Sequence, residues 1–306
     1  MKTRSIMLML STADKFLGSL LGAHLANRNP DFTDPQNVAI ALNQVSNQLE
    51  RSNHPPHPQP NPCQQAAEAQ GGIAPSAHYP VRCGVAQLTT AMVSQGWNKE
   101  FGSVLRWLLS SHDNHQQRHQ AIAAVYQQVT DDALTSDALH SIQALYILGD
   151  CLEWFMQSSP DVSRANSRLY EYLQQQCATY PAELINQQMS QLLAYLCDPL
   201  PSMDNGDNSL QSGPLSSVML AAQHCLRYRE NLALALSTQP LTPLTPSLVG
   251  ALLGAWGGPQ VLPHPWLLAL PSHTMQNLVA EADNLYRAWA GVANNADCFG
   301  AFALDF

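Results

Sequence analysis

Apolar residues recur at steps of three and four along much of this chain, and no comparable run of alternating apolar and polar residues occurs in it. That spacing gathers side chains on one face of a 3.6-residue helix, whereas a half-buried strand needs a period of two. Leu139, Ile142, Leu145, Tyr146, Leu152 and Phe155 mark one face of a helix that begins near Ser136. Leu184, Ile185, Met189, Leu192, Leu193 and Leu196 mark a second helix after Pro181. Met275, Leu278, Val279, Ala282, Leu285, Tyr286 and Trp289 mark a third after Ser272. Amphipathic helices of this kind pack on a common core. The expected fold is all-α, a compact multi-helix globule in a single domain over 1–306.

Charge narrows the function classes. The chain carries 14 Lys and Arg against 23 Asp and Glu, a formal net charge of -9. Unspecific nucleic-acid binding needs clustered cations to displace counterions, so no nucleic-acid partner is expected. Hydrophobic residues make up 45%, enough to repay chain entropy over most of the length and to exclude full disorder. No apolar run approaches the roughly 18 residues of a membrane span, so no membrane partner is expected either. Ile6 to Leu10 after Lys2 and Arg4 imitates a secretory signal, but it is shorter than the roughly 7 to 15 apolar residues that such a signal needs. Cys63, Cys83, Cys151, Cys177, Cys197, Cys225 and Cys298 form no C-x-x-C pair and their number is odd. Buried thiols in a reducing, cytoplasmic protein account for them.

Two segments read as surface loops. One lies near 52–64, where His54 to Pro62 packs five prolines into nine positions and so excludes helix. The other spans 199–214, through Asp204-Asn205-Gly206-Asp207-Asn208. Both are expected to move.

The sharpest local signals are two glycine helices near the ends of the sequence. Ser11-Thr12-Ala13-Asp14 has the form of a capping box, and the helix after it carries Leu17, Leu20, Leu21 and Leu25 on one face. Gly18, Gly22 and Ala26 form its small-residue ridge. Later, Thr245 is placed to cap a helix and Pro246 to sit in its first turn, with Gly257-Gly258-Pro259 as the stop. Gly250 and Gly254 repeat the spacing of Gly18 and Gly22. A glycine inside a helix costs about 1 kcal/mol relative to alanine. Close approach of the two glycine ridges would offset that cost, and two unrelated buried helices are the alternative.

The stretch Phe16-Leu-Gly-Ser-Leu-Leu-Gly-Ala-His-Leu-Ala-Asn27 resembles the N-terminal helix of ADP-ribosylglycohydrolases, which typically reads G-x-x-x-G-x-A-x-G-D-A. Pro246 to Trp256, followed by Leu262-Pro263-His264-Pro265-Trp266-Leu267, is similar to that family's closing helix and its I-P-x-x-W-L sequel. The match covers about 35 residues at the two ends, and the middle agrees only in being helical. The resemblance implies an all-α fold and an enzyme that uses two magnesium ions to cleave ADP-ribose glycosidic bonds. It also implies metal-binding carboxylates in three places: after the first glycine helix, in a T-D-D-T loop, and in a D-x-D-T segment before the closing helix. Mg²⁺ is a hard cation whose dehydration is offset by anionic oxygen donors.

Here those places are altered. Alignment on the glycines puts Asn27 where the first Asp belongs, and Leu241 and Pro243 on the two Asp positions of D-x-D-T. Thr245 is a remnant of that motif's threonine or simply a helix cap. For the loop there are two imperfect candidates, Thr33-Asp34-Pro35 and Thr130-Asp131-Asp132, the latter also read as acids in the first turn of a helix. No magnesium pair, no catalytic residue and no cofactor is therefore expected.

Other chemistry is sparse. His112, His115 and His119 have a spacing that three zinc or nickel ligands could use, or they form a solvated turn. His24 falls on the packed face of its helix and reads as a core histidine. Asp150 and Glu153 share a helix face as paired acids, expected on a hydrated surface. Cys225 beside His224 points away from it, because adjacent helical residues diverge. No nucleophile elbow, H-E-x-x-H pair, Walker loop or dinucleotide fingerprint is present. Three functional readings follow. The first is a degenerate glycohydrolase-like module that binds a nucleotide-like ligand or a protein partner. The second is a divergent active glycohydrolase using Asp34, or Asp131 with Asp132. The third is a purely structural helical protein that interacts through Phe299 to Phe306.

Overall fold

The structure, a computed structural model, describes residues 11–28, 97–131, 135–158, 164–185, 187–194, 196, 213–229, 231–237 and 244–290. Asp34, Asp132, Leu241, Pro243, the 52–64 strip, Phe299 to Phe306 and all of the 199–214 segment before Gly213 lie outside them.

The fold is all-α, with eleven α-helices and no strand among the described residues: α1 (Thr12–Arg28), α2 (Trp97–Ser110), α3 (His115–Asp131), α4 (Ser136–Gln157), α5 (Ala165–Cys177), α6 (Gln187–Ala194), α7 (Pro214–Tyr228), α8 (Leu232–Ser237), α9 (Thr245–Gly257), α10 (His264–Ala269) and α11 (Ser272–Trp289).

Helix α1 starts on the expected capping box. The Asp14 backbone N–H donates to Ser11 Oγ at 3.1 Å, and Asp14 Oδ2 accepts from the Ser11 N–H at 3.1 Å. Two otherwise orphaned donors are thereby satisfied. From there α1 runs antiparallel to α9 with its glycines against those of α9. A Cβ built on Gly22 would meet the Gly250 carbonyl oxygen, and one on Gly254 would meet that of Gly18, each well inside the 3.0 Å that real Cβ atoms keep. The ridges pack backbone to backbone, and this contact joins two helices more than two hundred residues apart in sequence. Helix α9 ends as its glycines dictate. Gly258 takes φ 66°, open to glycine at little cost, and its N–H closes on the Gly254 carbonyl.

Helix α4 begins where its pattern predicts, with Thr135 Oγ1 accepting from the Ala138 N–H at 3.2 Å. It is not amphipathic, however. Tyr146, Ile147, Leu148, Cys151 and Leu152 are all buried, so the helix is enclosed on every side. Helices α3, α5 and α7 pack around it, while α9 bridges α7 to α1 and α11 covers α1 and α2. At the C-terminal end of α4, Lys15 Nζ donates to the carbonyls of Phe155 at 3.3 Å, Met156 at 2.6 Å and Ser158 at 3.1 Å. This satisfies oxygens that the helix itself leaves open. Burial pushes the Lys15 ammonium down to about 8. Arg106 of α2 and Glu281 of α11 form a largely buried ion pair between those helices.

Four expectations need correction. The segment from Leu184 to Leu196 is not one helix: a 3-10 turn over Ala182–Leu184 precedes α6. Ile185 has ψ 89° and is 42% exposed. The Leu184 carbonyl accepts from Gln143 Nε2 of α4 at 2.6 Å instead of continuing a helix. Thr245 does not cap α9 but is its first residue. The cap is Leu244, which already has helical dihedrals, and its carbonyl accepts the first bond, from the Leu248 N–H at 3.2 Å. Thr130 and Asp131 close α3 and do not open a helix. Val279 of α11, expected on the packed face, is 44% exposed.

The glycine contact is directly testable. Gly22→Ala or Gly250→Ala gains about 1 kcal/mol of helix propensity. Each nevertheless drives a methyl into backbone that cannot move aside as a side chain can, and overpacking of this kind costs about 1–3 kcal/mol or more. Both variants are expected to lower the denaturant midpoint in urea unfolding, against the direction that propensity alone dictates.

Candidate functional site

The glycine register carries the two altered ends of the resemblance to one place. Gly18 lies against Gly254 and Gly22 against Gly250. One further turn in each direction brings Ala26 opposite Pro246 and Asn27 to the level of Thr245. Asn27, in the last turn of α1, is half-buried, and Thr245 is fully buried at the start of α9. Of the five family-site positions, these two fall at the same end of the α1–α9 pair, and Asp34, Leu241 and Pro243 lie outside the described residues. An amide and a hydroxyl offer neutral oxygens only, which do not fit a pair of divalent cations. Among the described residues no group of three His, Cys, Asp or Glu side chains is arranged to hold a metal ion.

The histidine trio does not converge, and two of its members are not solvated. His112 is 5% exposed. Its ring lies between Phe16 at 5.3 Å and Trp289 at 5.6 Å, and its Nδ1–H donates to the Leu109 carbonyl at 2.8 Å. Trp289 Nε1–H in turn donates to Asp113 at 2.7 Å. The trio spacing predicts one helix face, but α3 begins only at His115, so His112 sits in the preceding turn and faces a different part of the core. His119 does lie on α3 and points to α4. His24 is buried, as expected.

The chief correction concerns Asp150 and Glu153, which lie inside the protein and not on a hydrated face. Asp150 is fully buried and Glu153 nearly so. Because α4 is enclosed all round, acids on it have no wet side, and a partner must come from elsewhere. That partner is Arg118 of α3, itself fully buried. Its guanidinium donates to Asp150 Oδ1 at 2.6 Å, to Glu153 Oε2 at 2.7 Å and to the carbonyls of Ser111 and His112 at 3.1 and 3.2 Å. Gly149 makes room for it, since a Cβ there would lie 2.7 Å from Arg118 Cδ. Asp150 Oδ1 also accepts from His119 Nε2 at 2.9 Å, and Oδ2 accepts from the Tyr180 hydroxyl at 2.5 Å. The other His119 nitrogen, Nδ1, lies 3.1 Å from Thr179 Oγ1, in the exposed turn after α5. The rings of Tyr146 and Tyr180 stand edge-on to the imidazole at 5.1 and 5.3 Å and fix its plane.

Burial alone would raise the Asp150 carboxyl. The His119 hydrogen bond, the Arg118 charge and the Tyr180 hydroxyl together hold it below its ordinary value. Burial lifts the Tyr180 phenol well above its usual range and the Cys177 thiol to about 12, with the Asp150 charge adding to both. Arg118, Thr179 and Tyr180 were not singled out by motif or spacing. The available signal was that Asp150 and Glu153 interrupt a stretch apolar on every helical face, from Ala144 to Phe155.

Two outcomes follow. Asp150→Asn leaves Glu153 to balance the Arg118 guanidinium but weakens the charge-assisted hydrogen bonds that Asp150 accepts from Arg118, His119 and Tyr180; leaving such buried groups poorly satisfied costs about 1–3 kcal/mol, and urea unfolding should show a loss of that size. For His112, burial lowers its proton affinity from the ordinary 6.5, outweighing the raising effects of the Leu109 carbonyl and Asp113. The unfolded chain then binds the proton more tightly, so stability falls as pH drops below about 6.5 toward the folded value. Unfolding free energies measured from neutral pH to about pH 5.5 should decline, and the His112→Leu variant should show a shallower decline.

No family model, no curated protein and no solved structure matches the chain.

Proposed function

We propose that the chain is a catalytically degenerate protein of the ADP-ribosylglycohydrolase type that acts as a binding or regulatory module in the cytoplasm. The observation that carries this reading is the backbone contact of the two glycine helices. It puts Asn27 and Thr245, the positions that correspond to metal-binding segments in the family, at one end of a single helix pair. Shared position at that end supports a common architecture, and the amide of Asn27, where the family has an Asp, supports loss of the magnesium chemistry. Burial of Cys151, Cys177 and Cys225 as free thiols supports a reducing compartment. No described helix is long and apolar enough to cross a membrane.

On this reading such a protein takes a nucleotide-like ligand or a protein partner without metal chemistry. Isothermal titration calorimetry with ADP-ribose, with and without Mg²⁺, tests it. Binding that is unchanged by the metal is the expected result. Tight binding only in the presence of Mg²⁺ would mean that an intact metal centre exists, and the proposal would fail.

A further inference from the structure

Thr179, His119 and Asp150 form a hydroxyl, imidazole and carboxylate chain that runs from an exposed turn to the interior, on helices other than the glycine pair. Thr179 is exposed, His119 is 8% exposed and Asp150 is fully buried. From these residues we infer a second site: Thr179 is a nucleophile that takes an acyl group from an activated ester, with His119 as its general base and Asp150 and Arg118 as positioning groups.

The hydrogen-bond logic assigns each role. Asp150 as a carboxylate only accepts, so His119 Nε2, at 2.9 Å from Oδ1, carries the hydrogen. In the neutral ring Nδ1 is then the acceptor, and it sits 3.1 Å from Thr179 Oγ1, within reach of the hydroxyl proton. A hydroxyl on a base that a third group orients is the general arrangement of an activated nucleophile. Here the two ring nitrogens exchange the roles they have in serine proteases. The orienting end is unusually fixed: Asp150 is held at once by Arg118 at 2.6 Å and Tyr180 at 2.5 Å, and two tyrosine rings flank the imidazole.

The surroundings also accommodate the state after proton transfer. Thr179 Oγ1 lies 2.7 Å from the Gln176 carbonyl as well, so the hydroxyl has a second acceptor whenever Nδ1 bears a proton. One guanidinium faces two carboxylates in this cluster, leaving one negative charge that an imidazolium offsets. In the step itself, the bond from Oγ1 to the ester carbonyl carbon forms and the ester C–O bond breaks. The hydroxyl proton passes to Nδ1 and from there to the departing alkoxide, which restores the neutral ring.

The test uses the full chain and p-nitrophenyl acetate, with p-nitrophenolate release followed by absorbance and the acetyl group located by peptide mass spectrometry. Acetyl on Thr179 is expected in the unaltered protein, and its absence overturns the proposal. His119→Gln keeps a donor for Asp150 and removes the base; it should slow acetylation of Thr179 by about 10²- to 10⁴-fold. An unchanged rate in that variant, with native circular dichroism, also overturns it. Should His119→Gln not fold, Thr179→Val at the exposed turn replaces it and is expected to abolish the initial burst of p-nitrophenolate. His115→Ala removes the exposed imidazole beside His119 and is expected to leave the Thr179 adduct in place. Release that disappears with His115→Ala and survives Thr179→Val would assign the reaction to a surface histidine instead.

Discussion

The backbone contact between α1 and α9 sets the constraint under which the rest of the molecule is built. Where two glycine ridges meet, no side chain separates the helices, so their flanking residues must find neighbours to either side. Phe16, Leu20 and Leu21 of α1 and Leu248, Leu252 and Trp256 of α9 are accordingly buried within the same hydrophobic core. Helix α7 packs on α9 and α11 on α1. The glycines carry a helix-propensity penalty of about 1 kcal/mol each, and dispersion between closely apposed backbones together with burial of these flanks offsets it. Gly258 extends the contact past the end of α9, because its backbone lies against Gly18 and occupies the space a side chain there would need.

A second constraint follows from α4. A helix enclosed on every side can carry acids only if a cation reaches them, and Arg118 does so from α3 while also taking two backbone carbonyls of the preceding turn. Such a buried cluster is weak evidence for added stability, since desolvation of the charges opposes their attraction. What it fixes is arrangement. With both carboxylates and both carbonyls to satisfy, Arg118 permits one register of α3 against α4, and Asp150 then ties in the turn after α5 through Tyr180 and through His119 to Thr179.

The parts of this fold that were legible in the sequence are those whose cause is local or repeated. The capping box at Ser11 and Asp14, the start of α4 near Ser136 and the stop at Gly258 each depend on residues within a turn of one another. The glycine pairing was legible because an energetic cost at four positions demanded a common explanation. The break at Ile185 was not, because it depends on Gln143, 41 residues away, taking the Leu184 carbonyl. Nor was the candidate site: the bonds of Asp150 to Arg118, His119 and Tyr180 span 32, 31 and 30 residues. General exposure tendencies place an acid on the surface, and only the enclosure of α4 by other helices reverses that placement. The burial of His112 has the same origin, since Phe16 and Trp289 come from opposite ends of the described chain.

These two constraints are independent, and that bears on how such a protein tolerates change. Helix pairing through glycine backbone needs no bound ion and no charge at Asn27 or Thr245. On the proposed reading, replacement of acids at that end removes chemistry without removing the contact that holds the helices together. The Arg118 cluster lies instead on α3 and α4, with Lys15 binding the far end of α4 to the start of α1. Lys15 and Asn27 are twelve residues apart on α1, a separation of about 18 Å along a helix. The polar groups that tie α4 to α1 therefore sit at the opposite end from the altered positions. A change in ligand chemistry at one end leaves intact the hydrogen bonds that orient His119 and Thr179, and each end is free to diverge while the glycine seam between α1 and α9 keeps the core assembled.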